Sequence, residues 1–239
     1  MTNRNLVLLA GKSASGKTAS LKDLKDPAGV IYLNCEAGKE LPFASKFRQL
    51  VVTHPTQVFE TFEQAEEHAD AHTIVIDSLT YLMDMFESKC VLTASNTMKA
   101  WSDYAQFFKK LMQHYVAGST KNVVLIAHTM DLLNETEMVM ETLVKVKGSL
   151  MNQGIESYFN NVISCKKVPL AKLDGYGGPL LNISDEEASL GFKYVYQTRL
   201  TKETVNDRIR GPLGLWDIKE TYIDNDLQQV LDKLHTYYS

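Results

Sequence analysis

The chain has 239 residues, of which 44% are hydrophobic and 23% are charged, and its formal net charge is −4. These values are ordinary for a globular protein, and they exclude a disordered, collagen-like or coiled-coil chain and a globally basic nucleic-acid coat. The apolar runs are too short to cross a membrane, and the three cysteines lack the CxxC spacing of a zinc site. We therefore expect one cytoplasmic domain over residues 1–239, with no membrane partner.

The first half of the chain alternates short apolar runs with amphipathic segments. Continuous apolar runs favour buried strands, and apolar residues spaced three to four apart favour helices. Strands are predicted at 6–10, 30–33, 50–52, 73–76 and 122–127, and helices from the end of the Gly11–Thr18 segment to about Lys25, at 57–68 and at 98–116. This alternation predicts an α/β fold, with a mainly parallel central sheet and helices on both faces.

The second half of the chain is less regular. The β-branched residues of 137–147 leave a strand and a mobile loop as alternatives, and the glycines of 170–183 indicate a turn or hairpin tip. The further predicted elements are a short helix at 149–159, strands at 162–168 and 191–198, and an amphipathic helix at 224–238. Two strands on either side of a glycine-rich turn predict a β-hairpin extension toward the C-terminus.

The residues after the first predicted strand form a phosphate-binding motif. Gly11-Lys12-Ser13-Ala14-Ser15-Gly16-Lys17-Thr18 matches G-x-x-x-x-G-K-[ST] without a gap. The glycines let the backbone curl so that its N–H groups point at phosphate oxygens, and the Lys17 ammonium would reach the β- and γ-phosphates. The Thr18 hydroxyl oxygen is a ligand that Mg²⁺ prefers. The motif therefore predicts that this loop binds ATP together with Mg²⁺.

A carboxylate ends the fourth predicted strand. Asp77 follows an apolar run, and the carboxyl ends of parallel strands face the phosphate loop. There Asp77 would hold the hydration shell of Mg²⁺, with Thr18 as the other protein ligand; a cap on the next helix is the alternative. The following residue is Ser78 and not a glutamate, so a base that activates water must come from elsewhere in the chain.

Glu36 is the better candidate for that base, and Glu40 is the weaker substitute. Glu36 lies just past the second predicted strand, whose carboxyl end converges on the same edge as Asp77. His128 ends the fifth predicted strand, where a polar side chain is suited to sense the γ-phosphate. A solvated loop glutamate and a core histidine are the alternative interpretations of Glu36 and His128.

The order of these motifs resembles that of the RecA-like ATPases. The loop Gly11–Thr18, then Glu36, then Asp77-Ser78 and finally His128 follow one another as in that family. Within it, the chain resembles the short phage-encoded proteins of the Sak group. The resemblance implies a RecA-like P-loop core, with Glu36 as the hydrolytic base and ATP and Mg²⁺ as cofactors. It also implies a role in recombination or single-strand annealing, in the host cytoplasm.

The same resemblance implies partners for the chain. Single-stranded DNA, a second copy bound through the ATP site and a single-strand-binding protein are the expected ones. By position in the chain, the segments Ser88–Lys99 and Thr129–Gly154 are the candidate DNA contacts, because they follow the Asp77 and His128 strands. The second segment mixes lysines with glutamates, so DNA binding is predicted from the resemblance more than from charge.

A basic cluster lies near the C-terminus. Three of the five arginines fall within Arg199–Arg210. Lys202, Arg208 and Arg210 would reach toward the γ-phosphate of a neighbouring subunit, as basic residues do in RecA-like and related ring ATPases. A planar guanidinium suits bidentate phosphate contact. Binding of a nucleic-acid backbone and a solvated hairpin are the two alternatives for this segment.

Two other functions share the phosphate loop: a small-molecule kinase and a non-catalytic, nucleotide-dependent switch or assembly protein. A kinase needs a pocket for its phosphoryl acceptor and an arginine-bearing lid, for which Arg199–Arg210 would serve. The long insertion of strand and helix between Gly11 and Asp77 suits a RecA-type strand order better. Phosphate transfer to a metabolite would identify the kinase, and negligible turnover would identify the switch.

Overall fold

A central β-sheet forms the frame of the molecule. The computed structural model describes residues 3–239. The strands in this range are β1 (Leu6–Gly11), β2 (Val30–Asn34), β3 (Arg48–Val51), β4 (Thr73–Asp77), β5 (Asn122–Asn134), β6 (Val139–Val144), β7 (Asn161–Pro169), β8 (Phe192–Gln197) and β9 (Tyr222–Asp224). Every residue of β1, β2 and β4 is buried, as expected for parallel strands that helices cover on both faces.

Helices cover the sheet. They are α1 (Gln57–Glu67), α2 (Leu79–Phe86), α3 (Thr97–Lys110), α4 (Ser149–Gln153), α5 (Asp185–Leu190) and α6 (Leu227–Tyr238). Helix α2 continues as a π-helical turn over Glu87–Val91, and α3 does so over Leu111–Val116. Within residues 3–239, no helix is both long enough and apolar enough to span a bilayer.

The strands follow the order β3-β2-β4-β5-β1-β7-β8-β9 across the sheet. The six strands from β3 to β7 run parallel, and β8 and β9 add to the edge in antiparallel pairing. The predicted fold class is therefore confirmed: an α/β fold with a mainly parallel sheet flanked by helices, and an antiparallel extension toward the C-terminus.

The core has one apolar cluster on each face of the sheet. In β1, Leu8 packs with the side chains of α1, α2 and α3, whereas its neighbour Leu9 packs with those of α6. Successive side chains of a strand point to opposite faces, so a continuous apolar run serves both clusters. This packing fixes β1, and with it the start of the phosphate loop, in the middle of the sheet.

The predicted helix from the phosphate loop to about Lys25 is wrong. The structure has only a 3₁₀ turn, Ala19–Leu21, in its place. Leu21 and Leu24 are both buried in the apolar cluster that also contains the side chains of α6, so the segment still contributes to the core. Asp26 then adopts a left-handed conformation before Pro27 and ends the segment.

Strand β5 is longer than predicted. It runs past Ala127 to Asn134, and its outer half pairs with β6 in antiparallel register from Thr129↔Val144 to Asn134↔Val139. We call Thr129–Val144 the β5–β6 hairpin. Of the two alternatives for residues 137–147, a strand or a mobile loop, the structure has the strand β6. Much of the segment predicted as a DNA-contacting loop is therefore a two-stranded ribbon projecting from the sheet.

Candidate functional site

Four polar segments meet at the carboxyl edge of the parallel strands. In the sheet register, Gly11 of β1 lies beside His128 of β5. Asp77 of β4 lies beside Asn34 of β2, and Glu36 follows Asn34 by two residues. The sheet thus brings the phosphate loop, Glu36, Asp77 and His128 to one edge, because carboxyl ends of parallel strands coincide. A cavity of about 180 Å³ there is lined by the loop from Ser13 onward, by these three side chains, and by Lys39, Pro42 and Ala19.

The loop backbone is shaped by its two glycines. A Cβ atom at Gly11 would lie 2.6 Å from the carbonyl oxygen of Cys165 in β7, so no larger residue fits there. Gly16 has a φ of +87°, in the left-handed region, and its carbonyl accepts a 2.9 Å hydrogen bond from Asn225 Nδ2. The Ser15 Oγ atom is buried without a hydrogen-bond partner in the described structure. An orphaned hydroxyl inside a curled glycine loop fits a phosphate oxygen.

The Lys17 side chain is packed beneath the loop. Its Nζ donates hydrogen bonds to the carbonyl oxygens of Gly11 (2.9 Å) and Lys12 (2.7 Å), and the residue is 6% exposed. Burial lowers the pKa of Lys17, and the nearby Asp77 and Glu36 carboxylates oppose that shift. The ammonium is thus held where the curled loop would close around a phosphate.

The Lys12 side chain points away from this cavity. Its Nζ lies 2.6 Å from the carboxylate of Asp131 in the β5–β6 hairpin. Hydrogen bonds from Lys12 and from the Thr142 hydroxyl lower the pKa of Asp131. The charge of Lys12 therefore ties the phosphate loop to the hairpin.

Oxygen donors suited to Mg²⁺ lie next to Lys17. The Thr18 hydroxyl donates a 2.6 Å hydrogen bond to Asp77 Oδ2, and the Tyr32 hydroxyl donates another of 2.8 Å to the same oxygen. Burial raises the pKa of Asp77, and these two hydrogen bonds oppose the rise. A buried carboxylate beside a hydroxyl is a donor set for a hard cation that completes its shell with phosphate oxygens and water. The residues present therefore fit Mg²⁺. Sequence reasoning missed Tyr32, which looked like an ordinary strand aromatic.

The side chains of Glu36 and His128 lie next to each other in the lining of the cavity. His128 Nε2 lies 3.4 Å from Glu36 Oε1, and both side chains are about four-fifths buried, at 21% and 16% exposure. The His128 backbone N–H donates to the Thr80 hydroxyl at 3.0 Å, which fixes the end of the inner part of β5. Burial lowers the pKa of His128, and the Lys17 charge acts in the same direction. A neutral His128 is suited to orient the Glu36 carboxylate.

Lys39 was missed by the sequence analysis. It follows Glu36 by three residues, and its Nζ lies 3.4 Å from Glu36 Oε2. The only sequence signal was a lysine on the same short loop as the proposed base. Glu40, the weaker candidate for that base, is exposed and lies outside the lining of the cavity.

The basic cluster near the C-terminus lies outside this cavity. Arg208 binds two carboxylates of its own chain, Glu141 at 3.1 Å and Glu156 at 3.2 Å. Lys202 and Arg210 are exposed, and neither forms an ion pair within residues 3–239. The structure therefore gives Arg208 partners within the chain and leaves the other two cations facing solvent.

The two segments predicted to contact DNA lie side by side. Lys147 Nζ is 3.8 Å from the Asp84 carboxylate and also contacts Glu87, next to the start of the 88–99 segment. Lys147 is thereby neutralised. Lys89 and Lys145 are exposed and form no ion pair in the part of the chain that the structure describes. These two lysines face solvent.

A second, larger cavity opens on the other side of the phosphate loop. It has a volume of about 640 Å³ and lies between the loop, the β5–β6 hairpin, β7 and the 203–207 segment. Its charged groups largely pair with one another: Lys12 with Asp131, and Lys166 with Asp207 at 2.6 Å. The cavity is therefore polar but close to neutral.

Comparison with known proteins gives the family. A family model described as AAA domain matches residues 3–167, which is more than half of the chain. The comparison with curated proteins gave no match. Among solved structures, a KaiC-like protein from the hyperthermophilic archaeon Pyrococcus horikoshii OT3 is similar with 15% identity and a TM-score of 0.45, over 85% of this chain and 82% of that chain. Because this family model covers most of the chain, including the phosphate loop, the chain belongs to the AAA domain family of P-loop ATPases.

Proposed function

We propose that this P-loop ATPase hydrolyses ATP with Mg²⁺ and acts on single-stranded DNA in recombination or strand annealing, as the Sak-type phage proteins that it resembles do. One observation carries the enzymatic part of the proposal. The Thr18–Asp77 pair and the Glu36–His128 pair line one cavity at the mouth of the phosphate loop. Metal ligands, base and loop thus lie within reach of a single γ-phosphate.

The roles of the residues follow from their chemistry. The loop N–H groups and Lys17 would bind the phosphates of ATP, and Thr18 and Asp77 would hold Mg²⁺, which supplies neutralisation of phosphate charge. Glu36 would accept the proton of the attacking water. His128 would keep the Glu36 carboxylate in position through the contact at 3.4 Å.

The β5–β6 hairpin supports a link between nucleotide and DNA. His128 stands in β5 immediately before the hairpin begins, and Lys12 of the phosphate loop pairs with Asp131 inside it. A change at the γ-phosphate would therefore reach the hairpin by two routes. The exposed Lys89 and Lys145 offer charge to a DNA backbone on the same side.

Self-association through the ATP site is part of the proposal. None of the residues Lys202, Arg208 and Arg210 lines the phosphate cavity of its own chain. The exposed Lys202 and Arg210 are the candidates to reach the site of a second copy. Arg208, which binds Glu141 and Glu156, would instead stabilise the conformation of the Arg199–Arg210 segment.

Steady-state ATP hydrolysis tests the function. It is measured with and without single-stranded DNA at two salt concentrations, with Lys17→Ala as the blank. We expect single-stranded DNA to stimulate hydrolysis and added salt to weaken that stimulation. Salt has this effect because binding to DNA phosphates releases counterions, so a higher salt concentration opposes binding. Hydrolysis indifferent to DNA would refute the DNA part of the proposal. Tight ATP binding without turnover would refute the enzymatic part in favour of a nucleotide-dependent switch.

A second candidate function is phosphoryl transfer to a small molecule. The cavity of about 640 Å³ favours it, because its volume is that of a small-ligand pocket and it shares Ser13, Ala14 and Ser15 with the phosphate cavity. The ratio of inorganic phosphate to ADP distinguishes the two reactions. Equal amounts indicate hydrolysis, whereas ADP without free phosphate in the presence of metabolite extract indicates a kinase.

A further inference from the structure

The loop that carries Glu36 is rigidly folded onto the edge of the sheet. Ala37 and Gly38 both have positive φ angles, 55° and 79°, so the chain turns back on itself directly after Glu36. The Asn34 side chain closes the turn with a 2.8 Å hydrogen bond to the carbonyl of Lys39, and the Lys39 N–H donates to the Glu36 carbonyl at 3.2 Å. The backbone of Lys39 is thereby fixed at the rim of the phosphate cavity.

The side chain of Lys39, by contrast, extends into solvent. It is 73% exposed, and its contact with the Glu36 carboxylate is long, at 3.4 Å. An exposed ion pair of this kind is weak, because water solvates both charges and the lysine stem loses conformational freedom to form it. A ligand with more negative charge than one carboxylate would therefore take the ammonium from Glu36.

We propose that Lys39 binds the γ-phosphate of ATP within its own subunit and, in moving there, releases the Glu36 carboxylate to act as the base. The inference rests on the proposed ATP hydrolysis at this site. In that reaction the water oxygen bonds to the γ-phosphorus, and the bond from phosphorus to the bridging oxygen breaks. The bridging oxygen keeps the electron pair on ADP, and the proton of the water passes to Glu36.

Apart from Lys17, which the phosphate-loop motif already assigns to the phosphates, Lys39 is the only lysine or arginine that lines the cavity within residues 3–239. Lys12 lies outside that lining and its Nζ contacts Asp131. No arginine lines the cavity among the described residues. Lys39 is also close enough to Lys17 for its charge to contribute to the lowered pKa of that residue. A fixed cationic loop at the mouth of the site is placed to meet the outermost phosphate.

The test compares Lys39→Ala with Lys46→Ala, a control at an exposed lysine that lies outside the cavity lining. We expect Lys39→Ala to lower kcat by about 10-fold to 100-fold. It should also weaken binding of a non-hydrolysable ATP analogue, while ADP binds as in the wild type. Lys39→Arg, which keeps the charge, should recover much of the loss. A merely structural role would weaken both nucleotides alike, and that result would overturn the proposal.

A mixing experiment tests the claim that Lys39 acts within its own subunit. Lys39→Ala is mixed with Lys17→Ala, whose own site is disabled but which carries an intact Lys39. We expect no recovery of hydrolysis. Recovery in the mixture would show that Lys39 serves a neighbouring site and would overturn the proposal. A wild-type chain that binds ATP without releasing phosphate would defeat the proposed function instead, and the comparison of analogue with ADP would still decide the role of Lys39.

Discussion

The Thr18 hydroxyl donates a hydrogen bond of 2.6 Å to Asp77 Oδ2, although the two residues are 59 positions apart in the chain. The contact joins the end of the phosphate loop to the end of β4 inside the sheet, where Asp77 is only 2% exposed. Burial of the carboxylate raises its pKa. A divalent cation held by these two residues would favour the ionised form of Asp77 and offset the cost of burying it.

We predict that Asp77→Asn abolishes most of the Mg²⁺-dependent gain in nucleotide affinity. An amide has no charge to offer the metal, whereas the phosphate loop itself is untouched. Titration calorimetry with and without EDTA measures the gain. Asp103→Asn, at an exposed position of α3, is the control and should behave as the wild type. Retention of the full Mg²⁺ effect by Asp77→Asn would contradict the metal role of this residue.

We predict that Glu36→Gln lowers kcat by about 100-fold or more while ATP still binds. A general base contributes roughly 10²–10⁴-fold to the rate, and glutamine has the shape of glutamate but accepts no proton. Phosphate release and nucleotide binding are measured on the same preparation. The matched control is Glu40→Gln, because Glu40 lies on the same loop but outside the cavity. If Glu40→Gln lost turnover and Glu36→Gln kept it, the base would be assigned to the wrong residue.

The sequence predicted the position of the site because the site follows from topology. The loop 11–18, Glu36, Asp77 and His128 each follow an apolar run. The ends of parallel strands meet at one edge in any order of those strands. The structure brings these residues together around one cavity at that edge.

The sequence could not reveal the contacts that depend on tertiary packing. Tyr32 donates to Asp77 from a neighbouring strand, and Asn225 reaches Gly16 from 209 positions away. No local pattern marks either residue. The 3₁₀ turn after the phosphate loop was missed because side chains three apart lie on one side of an α-helix as well as of a 3₁₀ turn, so Leu21 and Leu24 fit either backbone.

We predict that Arg208→Ala destabilises the fold, whereas Arg210→Ala does not. Arg208 neutralises Glu156, which is 5% exposed and also accepts a 2.7 Å hydrogen bond from the Val144 N–H. Loss of the guanidinium leaves that buried carboxylate without its cation, at a cost of about 2 kcal/mol in the free energy of unfolding. Urea denaturation of the two variants measures the difference. Equal stability of both variants would mean that the Arg208 ion pairs contribute nothing to the fold.

We predict that Lys89→Ala and Lys145→Ala each weaken the binding of single-stranded DNA and lower its dependence on salt. Each lysine that contacts a phosphate contributes a slope of about one in a plot of log affinity against log salt concentration. Fluorescence anisotropy with a labelled oligonucleotide gives both quantities. Lys219→Ala, at an exposed lysine in the 3₁₀ turn before β9, is the control. An unchanged slope in both variants would place the DNA on another face.

We predict that the stabilising effect of His128 depends on pH. Burial lowers the pKa of His128 below its usual value, so the folded chain holds this proton less tightly than the unfolded chain. The contribution of neutral His128 is therefore complete above the usual pKa of about 6.5 and is lost as pH falls through the lowered pKa of the folded state. The free energy of unfolding of the wild type, relative to that of His128→Gln, should decrease from about pH 8 to about pH 5. His114→Gln, at an exposed histidine, should follow the wild type throughout. A gap between wild type and His128→Gln that widens on acidification would show that His128 binds Glu36 as a cation, and a constant gap would show that folding leaves the pKa of His128 unchanged. Either result would contradict the prediction.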